Sequence, residues 1–224
     1  MQYITASCVI RDNRIYRDGG IVWEHSPAGP ADFLLSCYQH FGFQYPKFYK
    51  MDHLSKLGWL AAELLLSDGF DGEGLGKGRF DGGGSGRARF DTAEYRPEEM
   101  AVVLSNASSS LDTDYRYFAT VTEIPSPALF VYTLPNIVIG EICIRNNFKG
   151  ENAFFVTESF DAAFIGTYVR DLMETGIARA CICGWVEVLG DACTAALFLI
   201  EREFTTTLFT AEEMNDLYNP KHPA

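Results

Sequence analysis

Basic charge is scarce in this chain. Eighteen Lys and Arg residues stand against 30 Asp and Glu, a formal net charge of −12 at pH 7. Nucleic-acid binding needs cationic side chains to neutralise phosphates, so that class of partner is excluded. Long apolar runs are missing too, since none reaches the ~18 residues of a membrane span. Residues 1–10 have neither a basic start nor an extended apolar stretch. They are expected to open on a strand and not to act as a secretory signal. Histidine occurs only at His25, His40, His53 and His222. The six cysteines follow no disulfide-framework spacing, and all but Cys37 lie in apolar runs. They are expected to be reduced thiols packed as small hydrophobes in a cytoplasmic protein. Cys181 and Cys183 are separated by a single residue, which is not a metal half-site, so no metal centre is expected. No motif calls for a cofactor.

What is present fits a globular α/β chain. Its 224 residues are 47% hydrophobic and 14% aromatic, enough for a sizeable core. Residues 2–10 read as a strand. Residues 11–30 are polar and Gly/Pro-punctuated, a long connection with some strand character at Ile21, Val22 and Trp23. Helical stripes follow over residues 31–41, through Phe33, Leu34, Cys37, Tyr38 and Phe41, and over residues 52–66. A buried strand at 100–106 precedes a small-residue turn and a helix at 111–121. Residues 124–127 break the chain, and residues 129–133 read as a short extended piece. A helix with proline in its first turn covers 135–147. Two final strands, at 178–189 and 192–201, are joined tightly at Gly190 and Asp191 and should pair antiparallel. The boundaries are therefore a single domain over 1–204 and an acidic polar tail over 205–224.

Residues 69–90 interrupt this order. Nine of the 20 glycines fall there, among charges of both signs, and Phe-Asp recurs at Phe70, Phe80 and Phe90. A phosphate-binding glycine loop sits between a strand and a helix, whereas this stretch follows a helix. It reads as an insertion.

Residues 150–166 carry the chemical interest. Residues 153–157 are a short apolar strand, and helical spacing begins at Phe160, so Glu158 and Ser159 stand at a strand-to-helix corner. Free N–H groups and the helix dipole favour negative charge there, and acyl-transfer enzymes place nucleophiles at such corners. The plain alternative is that Ser159 only caps the helix.

Several segments resemble the β-ketoacyl (3-oxoacyl-acyl carrier protein) synthases. Residues 96–110 are similar to that family's strand and turn before its dimer-contacting region. Pro135 to Ile142 is similar to its Asn-bearing helix. Phe148-Lys149-Gly150-Glu151-Asn152 resembles its turn into the nucleophile strand, and Ala180 to Glu187 its Gly-Gly-x-Glu strand. The specific likeness runs from about Pro97 to Glu203; residues 1–66 match only in order and helix character. The resemblance implies the N-terminal half of a thiolase-like fold. That is a mixed five-stranded sheet, mostly parallel with the last strand antiparallel, and helices on both faces.

On the same resemblance the family's nucleophilic cysteine falls on Ser159, and its histidines and lysine belong to a half with no counterpart here. A serine hydroxyl needs a base to become a nucleophile. The resemblance therefore implies a non-catalytic subunit or partner in fatty-acid or polyketide-type acyl-chain synthesis. Two alternatives remain. One is a Ser159-dependent acyltransferase or thioesterase completed by a partner chain. The other is an acyl-chain binding module, with Phe154, Phe155, Phe160 and Phe164 as lining. Phe155, Phe160, Ala163 and Phe164 are also candidates for an interface, because an isolated half would leave a face of the helix at 160–175 in water. A homodimer, or a heterodimer with a ketosynthase-like chain, is expected. Direct docking of an acidic acyl carrier protein is disfavoured by the net charge.

Overall fold

The structure, a computed structural model, describes residues 1–26, 29–67, 94–202 and 207–220. The glycine-rich insertion expected at 69–90 lies outside the described residues. Strands β1 (Tyr3–Arg11), β2 (Arg14–Arg17) and β3 (Gly20–Glu24) come first. Helices α1 (Pro30–His40) and α2 (His53–Leu66) follow, separated by a 3₁₀ turn at Pro46–Lys50. Strand β4 (Met100–Asn106) leads to helices α3 (Leu111–Val121), α4 (Pro127–Phe130) and α5 (Ile137–Asn146). Then come β5 (Asn152–Val156), α6 (Ala162–Glu174), β6 (Ala180–Leu189), β7 (Ala192–Glu201) and α7 (Ala211–Tyr218).

The strands form one sheet in the order β3-β2-β1-β7-β6-β4-β5. Among the described residues it has seven strands where five were expected. The two additional ones lie in the stretch read as a polar connection. Asp12 and Asn13 both take left-handed backbone angles, φ 51° and 58°, and fold β2 straight back onto β1. The β2 sequence is only Arg-Ile-Tyr-Arg, too short to show a period, yet Ile15 and Tyr16 are fully buried. The expected arrangement is present inside the larger sheet: β4 pairs in parallel with β5 and β6. Strand β7 runs antiparallel to both β6 and β1. Residues 129–133 are not extended. Pro127 opens a helical turn and the Ser126 hydroxyl accepts the Leu129 N–H at 3.3 Å, so the expected breaker works as a helix start.

Both faces of the sheet are covered. Met100, Val102 and Leu104 of β4 point to a core shared with α1, α2 and α5, while Ala101 and Val103 point to a second core under α6 and α7. That is why β4 is apolar without alternation. Cys181 and Cys183 share the second core, all six cysteines are free thiols, and burial pushes the Cys8 thiol up to about 12. Among the described residues no helix is long and apolar enough to cross a membrane.

Strand β6 lies against the β7 backbone at Gly184 with no room for a side chain. The Gly184 φ is +147°, and a Cβ there would lie 1.9 Å from the Ala196 carbonyl oxygen. Only glycine satisfies both conditions. Gly184→Ala is expected to lose at least ~3 kcal/mol of stability, from backbone strain plus a main-chain clash. Urea unfolding measures it, and an unchanged midpoint would contradict this account of the β6–β7 contact.

Candidate functional site

Strand β5 and helix α6 meet at the corner expected from the sequence. The cap of α6 is not Ser159 but Asp161, whose carboxylate accepts the Phe164 N–H at 2.9 Å. Two residues separate Ser159 from the first turn of α6, so its hydroxyl is not placed to accept those N–H groups. Ser159 is exposed, and its carbonyl accepts the Thr157 hydroxyl at 2.9 Å. Among the described residues none hydrogen-bonds the Ser159 hydroxyl. An open recess of about 520 Å³ surrounds it, lined by Thr157, Glu158, Phe160, Asp161, Ala163 and Asn215 among others.

The aromatic candidates divide. Phe160 turns inward, with ring centroids 4.8 Å from Tyr218, 6.1 Å from Phe198 and 6.4 Å from Trp185. Phe155 packs edge-to-face on Phe164 at 4.8 Å and on Tyr168 at 5.0 Å. Phe164 and Ala163 remain exposed. The α6 helix is less open than an isolated half implies, because α7 covers part of it. Met214 and Phe209 are buried in the same core as Ile165 and Val169. Arg11 fastens the end of α7 by donating to the Tyr218 carbonyl at 2.8 Å and to Asn219 Oδ1 at 3.1 Å. These contacts come from a segment read as a polar tail; the spacing of Met214, Leu217 and Tyr218 was the available signal.

Two stretches that carry the family resemblance meet beside this corner. The Glu187 carboxylate, near the end of β6, accepts the N–H groups of Ala107 (2.6 Å) and Ser108 (3.1 Å). Glu187 thus holds the turn after β4, with Asn106 Oδ1 accepting the Ser109 N–H at 2.9 Å inside that turn. Its job here is to fix a backbone turn.

Among the described residues no histidine lines the recess. His25 and His40 both stack on Trp23. His53 opens α2 on the other face of the sheet, 3.4 Å from Asp112. His222 lies outside the described residues. Among the described residues no cluster of His, Cys, Asp and Glu fits a metal ion.

No protein-family model and no curated protein matches the sequence. Solved structures do match. The ishigamide ketosynthase/chain length factor superposes with a TM-score of 0.58 at 17% identity, over 92% of this chain and 63% of that one. The complex of a ketosynthase (ApeO) with its chain length factor (ApeC) from Xenorhabdus doucetiae gives 0.56 at 11%, over 97% of this chain and 90% of the matched one. A β-ketoacyl synthase from Burkholderia phymatum gives 0.51 at 16%, over 90% and 59%. The fold is therefore ketosynthase-like, and this chain spans under two thirds of the first and third of those chains.

Two measurements follow from the corner and from His53. Asp161→Ala should lose ~1 kcal/mol as a helix cap is removed, and Ser159→Ala less than ~0.5 kcal/mol; the reverse ranking would restore Ser159 as the cap. Burial, then the charge of Arg116, lowers the His53 pKa below its ordinary 6.5, against the opposing pull of Asp112. An unfolded chain therefore takes up this proton more readily than the folded one. The associated stability is present above pH 6.5 and is lost as pH falls from there through the folded value. Urea midpoints between pH 7 and pH 5 should drop for the wild type and drop less for His53→Gln.

Proposed function

We propose that this chain is a non-catalytic ketosynthase-like subunit that works with a longer ketosynthase-like chain in fatty-acid or polyketide-type acyl-chain synthesis. The observation that carries the reading is a match of length as well as fold. The matched chain of the ApeO–ApeC complex is covered over 90% while this chain is covered over 97%, so the two are close in size. A chain of this size with this fold therefore occurs within an assembly of a ketosynthase and its chain length factor. By that analogy this chain takes the place of an accessory subunit.

The chemistry of the corner agrees. Ser159 stands where the family resemblance puts the nucleophile, but it is an exposed hydroxyl lying outside the helix cap, and among the described residues no histidine lines its recess. Glu158 and Asp161 are its acidic neighbours in sequence; Asp161 is spent on the Phe164 N–H, and a carboxylate is a poorer base for a hydroxyl than an imidazole. Without a base, the helix dipole alone leaves a serine hydroxyl protonated and unreactive. In this reading Ser159, Phe155, Phe160, Ala163 and Phe164 are retained architecture, with Phe155 and Phe160 serving the packing of α6.

Two measurements test the reading together. Co-expressed with a full-length ketosynthase-like chain of the same organism, the protein should co-purify as a complex of defined mass. Incubated alone with an acyl-thioester, it should show no acyl adduct by mass spectrometry. A stable adduct that disappears in Ser159→Ala would make the chain an acyl-transfer enzyme in its own right and sink the non-catalytic reading.

A further inference from the structure

The connection between α1 and α2 builds an aromatic recess. Tyr38 of α1 and Phe43, Tyr45, Pro46 and Tyr49 of the connection line an open hollow of about 330 Å³. Tyr49 is 60% exposed. Its ring meets that of Tyr38 with centroids 5.5 Å apart and planes at 70°, so the two rings form the walls of a corner. Gln39 and Gln44 stand at the same hollow, and among the described residues no charged side chain lines it.

These walls are fixed in advance. The Tyr45 N–H donates to the Tyr38 hydroxyl at 2.7 Å, and the Phe43 N–H to the Tyr38 carbonyl at 3.2 Å. Gly42, at φ +65°, lets the chain turn back onto α1 in this way. Behind the recess Tyr38 stacks on Phe48 at 4.2 Å, and Tyr45 lies parallel to the buried Trp59 ring at 5.3 Å. A surface organised before binding loses little freedom when a ligand arrives.

Shape and charge choose the occupant. An amphipathic helix presents anchors from i to i+7, roughly 10 Å of axis, whereas a recess of this volume is only roughly 7 Å across. A quaternary ammonium seeks aromatic rings, but Lys50 beside Tyr49 is exposed, and Lys56 reaches over the Phe48 ring with Nζ 5.7 Å from its centroid. Lys47 is committed to Glu141 at 2.7 Å, so Lys50 and Lys56 are the cations that face an incoming ligand. A polyproline II segment suits the site. Its proline rings pack on aromatic faces, and its carbonyls, which have no internal hydrogen bonds, accept from side-chain amides such as those of Gln39 and Gln44. The two lysines favour acidic residues beside the prolines. We propose that this recess docks a proline-rich segment of a partner protein in the polyproline II conformation, with acidic residues flanking the prolines. The proposal does not depend on the ketosynthase-like reading above.

The test titrates the full chain by calorimetry with three synthetic peptides. One has six prolines flanked on each side by two glutamates, one has the same prolines flanked by lysines, and one has glycine in place of every proline between glutamates. The first should bind saturably, the second at least ~fivefold more weakly, and the third not at all, and affinity for the first should fall as salt rises. Tyr49→Ala removes an exposed ring, urea unfolding verifies that the fold is kept, and binding of the first peptide should weaken at least ~tenfold. Tyr115→Ala, which removes a tyrosine 64% exposed on α3, is the control and should leave affinity within about twofold of wild type. Unchanged affinity in Tyr49→Ala overturns the site. Equal binding of the glycine peptide overturns polyproline recognition, and equal binding of the lysine-flanked peptide overturns the acidic flanks. Failure of both proline peptides to saturate at millimolar concentration overturns the whole proposal.

Discussion

Helix α2 is buried along almost its whole length, and a buried helix cannot leave its polar ends to water. Much of the fold can be read as the answer to that constraint. At the N-terminal end Asp52 is 3% exposed; one carboxylate oxygen accepts the Ser55 N–H at 2.9 Å and the other accepts the Thr113 hydroxyl at 2.7 Å. At the C-terminal end the Arg17 guanidinium, also buried, donates to the carbonyls of Leu64 and Ser67, a cation where the dipole favours one. So the first hairpin reaches across to close one end of α2, and the start of α3 closes the other. Gly58 allows α5 to lie against the middle: a Cβ there would be 2.3 Å from the nearer Val138 methyl. Two further buried carboxylates are paired, Glu63 with Arg145 at 3.2 Å and Glu141 with Lys47 at 2.7 Å. Each joins an element of this layer to its neighbour, and losing one partner would strand a buried charge.

The same constraint explains why α3 can face outward. Its attachment to the body is polar and concentrated at its first turn, through Thr113 to Asp52 and through Asp112 to the Gly190 N–H at 3.2 Å. Nothing in that attachment needs the apolar stripe, which is left exposed. On the other face of the sheet the opposite choice is made. There α7 closes over α6 with Met214, Phe209 and Tyr218, and the corner that bears Ser159 is left with an open recess and an inward-turned Phe160. One layer of the molecule is thus finished within the chain, and the other presents an unfinished edge.

Particular elements show how much could be read in advance. Strand β4 was legible because seven consecutive buried residues leave an apolar run that loops do not have. The strand-to-helix corner was legible from the change of period near Phe160. Strand β3 falls where Ile21, Val22 and Trp23 showed strand character, but β2 was hidden by Arg14 and Arg17, whose long side chains masked Ile15 and Tyr16 and whose partners are Glu24 and the end of α2. Helix α4 was taken for an extended piece because Pro127 reads as a breaker until the Ser126 cap beside it is recognised. Ser159 was named as the corner residue, but a one-dimensional pattern cannot tell which of Ser159 and Asp161 caps the helix.

By itself the sequence determined the alternation of strands and helices, the two-sided burial of the central strands, the free thiols and the position of the β5–α6 corner. All of these follow from local spacing and composition, which act over a few residues along the chain. Only the tertiary structure decided that the sheet has two more strands, that α7 shields α6, and that α3 and α4 carry the open apolar face. Those outcomes depend on which buried polar ends and apolar stripes find partners across the fold. A stripe at helical spacing looks the same in sequence whether the core covers it or it stays exposed.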